Sequence, residues 1–322
     1  MELDKKEYDL VIVGAGPAAL SAAIYTSRED IETLLFEKGA IGGLAAVTDW
    51  VDNYPGFAEG IAGLKLSDEM RAQAERFGAK IELGEVTGLK KDNNVIKLDT
   101  TSGQITAKAV LVATGSEYRK IGVPGENEYY ARGVHYCATC DGAFYRDKRL
   151  VVVGGGNSAV QEGLFLTRFA THIDMLVRSK LKASDVLIKE LQKNPKIKVH
   201  LGVSTDEIVG ENNKVTKVVG SQDGKKVEFP TDGVFVFVGL DPNTKFLEGA
   251  GIELDERKFI KTDMRLMTNV PGVFSAGDVR SGATLQIASA AGEGATSALM
   301  IREYLENHAK ISQAAVATLY GN

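Results

Sequence analysis

Twice in this chain a short apolar run meets a G-x-G-x-x-A turn and then a helix-forming stretch, and no other feature restricts the fold as strongly. The first copy is Tyr8-Asp-Leu-Val-Ile-Val13, then Gly14-Ala-Gly16-Pro17-Ala18-Ala19, then Leu20 to Tyr25. The second is Leu150-Val-Val-Val153, then Gly154-Gly-Gly156-Asn157-Ser158-Ala159, then Val160 to Phe169. Apolar runs without alternation belong to strands covered on both faces of a parallel sheet. The glycines allow a tight turn and let a pyrophosphate approach the N-terminus of the following helix. A lone turn of this kind could merely pack a helix on a strand. In the first copy, however, the next strand, Thr33-Leu-Leu-Phe36, ends in Glu37. An acidic residue about 20 positions on is where a ribose hydroxyl is held. The expected fold class is α/β, with two Rossmann-like three-layer dinucleotide-binding domains.

The second copy ends differently. After the strand His172 to Val177 come Arg178, Ser179, Lys180, Leu181 and Lys182. A carboxylate at this point would hold an unmodified ribose and repel a 2′-phosphate, whereas Arg178, Lys180 and Lys182 would do the reverse. A solvated basic loop is the plainer alternative.

Both cysteines of the chain fall in one stretch, Cys137-Ala-Thr-Cys140-Asp141, just before the second strand and glycine turn. Two thiols at this spacing can close a small disulfide ring of the kind redox catalysis uses. Zinc would need four ligands, and His135 could give only a third. A purely structural disulfide would tie down a very small loop and gain little closure entropy.

Composition bounds the rest. A length of 322 residues favours two domains. With 44% hydrophobic and 25% charged residues, the chain has the make-up of a globular protein. A net charge of -5 gives no reason to expect nucleic acid as a partner. No apolar run has the length of a membrane span. The charged stretch Met1 to Tyr8 leads straight into a strand and is not expected to act as a signal peptide. Two cysteines do not make a secreted disulfide scaffold, so a cytoplasmic location is expected. The other segments read as a long loop from Gly39 to Phe57, a helix from Lys65 to Phe77, antiparallel meanders over Glu82 to Ala107 and Val199 to Phe229, strands ending at Gly115 and Gly239, and a C-terminal helix from about Gln286 to Glu306. A loop as long as 39–57 is usually functional.

Ala276-Gly277-Asp278 resembles the flavin-enzyme motif whose aspartate meets the ribityl chain of FAD. That resemblance returns the C-terminal segment to the first domain. It implies an FAD-binding domain formed by residues 1–116 and 245–322, with the second domain, 117–244, inserted in it and carrying the cysteines. Together with Asn53-Tyr-Pro-Gly-Phe57, Ala113-Thr114-Gly115, Tyr136-Cys-Ala-Thr-Cys-Asp141, Gly154-Gly-Gly156 with Ser158-Ala159, and Ala290-Ala-Gly292, the chain resembles the low-molecular-weight thioredoxin reductases over nearly its whole length.

The resemblance implies FAD in the first domain, NADPH in the second, a homodimer, and thioredoxin or a thioredoxin-like protein as electron acceptor. It implies hydride transfer from nicotinamide to flavin, and electrons passing on through the Cys137–Cys140 disulfide. Cys140 would face the flavin. Asp141 would protonate a leaving thiolate, although capping of the following turn is an alternative for it. Gly14, Gly16, Pro17, Ala18, Glu37, Gly43, Asn53, Ala113, Thr114, Gly115, Gly277, Asp278, Gln286 and Ile287 would serve FAD. Gly154, Gly156, Asn157, Ser158, Arg178, Lys180 and Lys182 would serve NADPH. The inserted domain would turn about connections near Gly115-Ser116 and Gly239-Leu240.

Three positions depart from the family's pattern. Val177 to Lys182 is one residue shorter than the usual arginine-rich phosphate clamp, Leu44 replaces a glutamine, and Leu285 replaces an arginine. They open an alternative in which the same reductase draws electrons from ferredoxin or a reduced deazaflavin. The tail from Ile311 to Asn322 runs past the family's usual end. It reads as a frayed terminus, or as a segment that docks Tyr320 on the flavin or on a dimer partner.

Overall fold

The structure is a computed structural model that describes residues 6–48 and 50–320, with side chains through residue 307. In chain order the elements are β1 (Glu7–Val13), α1 (Pro17–Arg28), β2 (Thr33–Glu37), α2 (Gly63–Arg76), β3 (Lys80–Leu83), β4 (Val86–Asp92), β5 (Val95–Thr100), β6 (Gly103–Val112), β7 (Ser116–Tyr118), β8 (Val134–His135), α3 (Ala138–Asp141), β9 (Arg149–Val153), α4 (Asn157–Leu166), β10 (His172–Val177), α5 (Asp185–Lys193), β11 (Ile197–Leu201), β12 (Val203–Glu211), β13 (Lys214–Gln222), β14 (Lys225–Pro230), β15 (Gly233–Val236), β16 (Leu240–Pro242), β17 (Val273–Ser275) and α6 (Ile287–Tyr320). Two compact units result, one of Met1–Glu117 with Asp241–Asn322, the other of Tyr118–Leu240.

In the first unit β3-β2-β1-β6 run parallel, and β17 adds to the carboxyl half of β6. The amino half of β6 instead pairs antiparallel with β5, and β5 with β4. This ten-residue strand therefore serves two sheets' worth of pairing. Side chains alternate across β1. Leu10 and Ile12 lie with α1 and α2 residues such as Leu20 and Leu66, whereas Val11 and Val13 lie with the meander residues Leu89 and Leu98. Both faces are covered, which is why the strands carry no polar alternation. Helix α1 is covered by α6, to which Ser21 Oγ donates a 2.7 Å bond at Ala291 O.

The second unit repeats the plan. Its five-stranded sheet, β11-β10-β9-β15-β8, is parallel throughout. Val152, Met175 and Phe235 face α4 and α5, and Val151, Leu176 and Val234 face the β12-β13-β14 sheet. In each unit the strand before the glycine turn, β1 or β9, is where the strand order reverses. The crevice beyond the carboxyl ends at such a point is where α/β sheets bind ligands.

The expected fold class is the observed one, with local corrections. Residues 80–83 do not open the first meander. They follow a helix and return parallel to β2, as a strand–helix–strand crossover must. Residues 197–201 likewise join β10, so the second meander starts at Val203. The helix expected to close near Glu306 runs on to Tyr320, and the side chain of Tyr320 lies outside the described residues.

Candidate active site

In the first unit the backbone turns at Gly14 with φ +106°, and a Cβ there would fall 2.4 Å from Ala113 O. Only glycine lets the β1 turn and the end of β6 approach this closely. Gly16 caps α1 without a side-chain hydrogen bond, and Pro17 takes the first helical position. The carboxylate of Glu37 folds back on the turn, accepting from Ala15 N at 2.8 Å and from Gly39 N at 2.7 Å. The 39–57 loop closes over it: Gly42 N donates to Ala15 O, and a Cβ on Gly43 would sit 3.7 Å from the Gly16 Cα. Asn53 Nδ2 donates to Gln286 Oε1 at 3.1 Å, joining that loop to the start of α6 at Ile287. Gly277 lies against Ala18, 3.0 Å from its Cβ to the position a Cβ would take. The sequence-assigned residues of this unit thus surround one end of the parallel sheet.

Two of them have other attachments. Thr114 Oγ1 donates to Asn243 O at 2.8 Å, while Asn243 Nδ2 donates to Thr114 O at 3.0 Å. The hydroxyl ties two distant chain segments together, and Gly115 O joins the tie by accepting from Asn243 N at 3.1 Å. Gly277 N donates to Glu293 Oε2, which also binds Arg280. Asn243, Arg280 and Glu293 were not legible as site residues, because nothing local in the sequence marks them.

Asp278 is the telling group. It is half-buried, and no hydrogen-bond donor reaches it among the described residues. Burial first, and the charge of Glu293 second, push its carboxyl up to about 6. An aspartate so placed fits a hydroxylated ligand chain that donates to it. Together with the uncapped α1 N-terminus and the free lone pairs of Glu37, this fits FAD.

In the second unit Gly154 has φ +143°, and a Cβ would lie 2.4 Å from Phe237 O. The α4 N-terminus, at Gly156, Asn157 and Ser158, is uncapped and open. Over it runs the basic segment, fixed at two points. Lys182 N donates to Gly155 O at 2.7 Å, and Ser184 N donates to Asn157 Oδ1 at 2.8 Å. Arg178, Lys180 and Lys182 are exposed and have no ion-pair partner among the described residues. Unpaired cations strapped beside an open helix N-terminus fit a phosphorylated dinucleotide.

The cysteines sit at the carboxyl end of β8, the edge strand of the same sheet. Cys137 and Cys140 are bonded to each other, with Cα atoms 5.3 Å apart. Cys137 Sγ also caps α3, accepting from Cys140 N at 3.2 Å. Asp141 ends that helix, and its Oδ2 lies 3.1 Å from His135 Nδ1. His135 Nε2 is 2.7 Å from the Tyr145 hydroxyl. Both ring nitrogens of His135 are therefore engaged away from the sulfurs. Among the described residues no group of three His, Cys, Asp or Glu side chains is placed to hold a metal. None of the described helices is long and apolar enough to cross a membrane.

Residues 8–295 match the family described as pyridine nucleotide-disulphide oxidoreductase. A thioredoxin reductase of Bacillus subtilis (strain 168) is 44% identical over 308 residues, covering 94% of this chain and 96% of the relative. One from Listeria innocua serovar 6a is 43% identical over 309 residues, covering 95% and 96%. The solved thioredoxin reductase of Streptococcus pyogenes MGAS5005 superposes with a TM-score of 0.89 at 37% identity, over 94% of this chain and 99% of that one.

Proposed function

The chain belongs to the pyridine nucleotide-disulphide oxidoreductase family, and from that membership we propose that it is a thioredoxin reductase, passing electrons from NADPH through FAD and the Cys137–Cys140 disulfide to thioredoxin or a thioredoxin-like protein. The observation that carries the reading is the bonded cysteine pair at the carboxyl end of a sheet whose next-but-one strand, β9, leads into the glycine turn. Disulfides with only two residues between the cysteines stabilise little, so chemistry is the better reason for this one.

When bound, FAD supplies a flavin that accepts a hydride from nicotinamide and gives two electrons to a disulfide. The residues would divide the remaining work. Gly14, Gly16, Pro17 and Ala18 leave room for the pyrophosphate at the α1 N-terminus. Glu37 holds the ribose, and Asp278 accepts from the ribityl chain. Gly43, Asn53, Ala113, Thr114, Gly115, Gly277, Gln286 and Ile287 enclose the rest. In the second unit Gly154, Gly156, Asn157 and Ser158 receive the NADPH pyrophosphate, and Arg178, Lys180 and Lys182 neutralise its 2′-phosphate. The dithiol formed at Cys137 and Cys140 attacks the thioredoxin disulfide as a thiolate, the nucleophilic form. Asp141 is the acid that protonates the departing thioredoxin sulfur. A homodimer and a cytoplasmic location belong to the same proposal, the first checked by sedimentation at micromolar concentration.

The test is NADPH-driven reduction of a bacterial thioredoxin by the purified yellow protein. Cys137→Ser and Cys140→Ser should each abolish it while keeping FAD bound, because exchange needs both sulfurs and neither anchors the flavin. Turnover surviving in either variant sinks the mechanism, and a colourless protein that takes up no FAD sinks the assignment.

A further inference from the structure

His135 is the one buried histidine among the described residues, and its surroundings leave its ring no freedom. It sits on β8, in register with Phe235 of β15. The Phe235 ring stacks on it at 5.1 Å, and the Tyr145 ring meets its edge at 5.2 Å. The imidazole is therefore clamped in the plane that presents Nδ1 to Asp141 and Nε2 to Tyr145, at 3.1 and 2.7 Å. The Asp141 carboxylate can only accept, so the 3.1 Å contact puts the ring proton on Nδ1. In the neutral ring Nε2 then accepts from the Tyr145 hydroxyl, a phenol held above its ordinary value by burial and then by the charges of Asp141 and Asp232. An imidazole nitrogen that accepts leaves the ring's proton on the other nitrogen. Nδ1–H then donates to Asp141 Oδ2.

We propose that His135 is a positioning residue for Asp141, holding its carboxyl in place beside the cysteine pair through Nδ1–H, and that Tyr145 fixes the tautomer that makes this possible. The inference rests on the thioredoxin reductase reading. In the exchange, the reduced pair holds one thiolate and one thiol, with the second proton on Asp141. The thiolate attacks the thioredoxin disulfide, breaking its S–S bond and forming a mixed disulfide. The expelled thioredoxin sulfur takes the proton of Asp141. The remaining enzyme sulfur then attacks the mixed disulfide, its own proton passes to the second thioredoxin sulfur, and the Cys137–Cys140 bond re-forms. Two electrons and two protons leave the enzyme together. One Asp141 oxygen must face the sulfurs to do this, and His135 engages the other. Other ionisable groups facing this chain of bonds are Tyr130, which feels the Asp141 charge, and Asp232, whose charge acts on Tyr145 and which lies near Lys148.

The experiment measures kcat/KM for a bacterial thioredoxin against pH, in the FAD-loaded protein. The variants are Tyr145→Phe, His135→Ala, His135→Asn, and the Tyr145→Phe/His135→Asn pair. Asparagine can place an amide N–H where Nδ1 sits but has nothing at Nε2. His135→Ala is expected to lose roughly ten- to hundredfold, within what general acid catalysis contributes, and to move the pH profile. His135→Asn should recover most of that loss. Tyr145→Phe should move the profile in the native background and change nothing further beside His135→Asn, the sign of a shared path in a double-mutant cycle. Variants that keep FAD and the native pH profile, or a Tyr145→Phe effect that persists in the asparagine background, overturn the proposal. If His135→Ala does not retain FAD, the Tyr145 pair still decides. Native protein that reduces no thioredoxin at all overturns the functional reading itself, and this inference with it.

Discussion

A half-buried carboxylate with no donor has its ionised form destabilised, and Asp278 is held this way. Its rise from 3.8 to about 6 corresponds to a cost on the order of 3 kcal/mol at neutral pH. The sign follows from linkage. A raised folded-state value favours the protonated form, so the penalty is absent below the unfolded value and grows as pH rises through about 6. Asp278→Asn should therefore raise the melting temperature of the FAD-free protein at pH values above that window and leave it nearly unchanged in acid. The same change should weaken FAD binding, because an amide replaces the acceptor that the ribityl hydroxyls would use. Thermal melts of the apo and loaded forms across pH check both halves. A variant that is no more stable than the parent in the apo form at alkaline pH would show that the carboxylate is solvated after all.

The β-α turns were legible in the sequence because their signals are local: an unbroken apolar run, two glycines with fixed spacing, and a helix behind them. Both strands fall where that pattern predicts and both helices form, although α4 starts at Asn157 and ends at Leu166 rather than Phe169. Helix α5 was missed. Its apolar residues Leu187, Ile188 and Leu191 do recur at helical spacing, but it has only nine residues and one fully buried side chain, Leu191. Its signals were Asp185 in the first turn and Lys193 in the last, both favourable to the helix dipole. Strand β8 is two residues long and could not be read at all, yet it carries His135. Asn243 escaped sequence reasoning because its contact with Thr114 joins segments 129 positions apart, whereas Arg280 and Glu293 pair over only 13 positions but belong to no motif that marks them. The basic segment after β10 is intermediate. Its charges were evident, but not that backbone bonds at Lys182 and Ser184 strap it to the glycine turn. That strap orders the backbone beside three exposed cations, and we expect NADPH to be preferred over NADH. Charge-assisted contacts contribute roughly 1.5–3 kcal/mol each, less for exposed groups. Arg178→Glu should thus narrow the preference by about tenfold or more, or invert it. Anaerobic titration of the flavin absorbance with each nucleotide measures this. Bleaching by reduced ferredoxin or deazaflavin, with neither nicotinamide effective, would refute it.

At the scale of the whole molecule, the two units differ in how they are drawn from the chain. Every strand of the second unit's parallel sheet comes from one continuous stretch, bounded by β8 and β15. At its borders Arg119 N donates to Gly239 O at 3.0 Å, so the unit's ends meet. The first unit has no such closure, since β17 and α6 arrive after the second unit is finished. A chain cut after Leu240 should keep a protease-resistant fragment near 118–240 and fail to retain FAD, as mass spectrometry of limited digests and the flavin spectrum would report. Stoichiometric FAD in the truncated protein would contradict this. The same arrangement has a consequence on the ribosome. Ser21 of α1 waits for its partner Ala291, 270 residues later. At typical synthesis rates of about 5–20 residues per second, the apolar face of α1 stays uncovered for roughly a quarter of a minute to nearly a minute. During translation the nascent chain holds a completed middle and an open beginning. The cell must shield that beginning until the last helix emerges, and a ribosome that stalls after Leu240 leaves behind a sticky half-protein rather than a smaller enzyme.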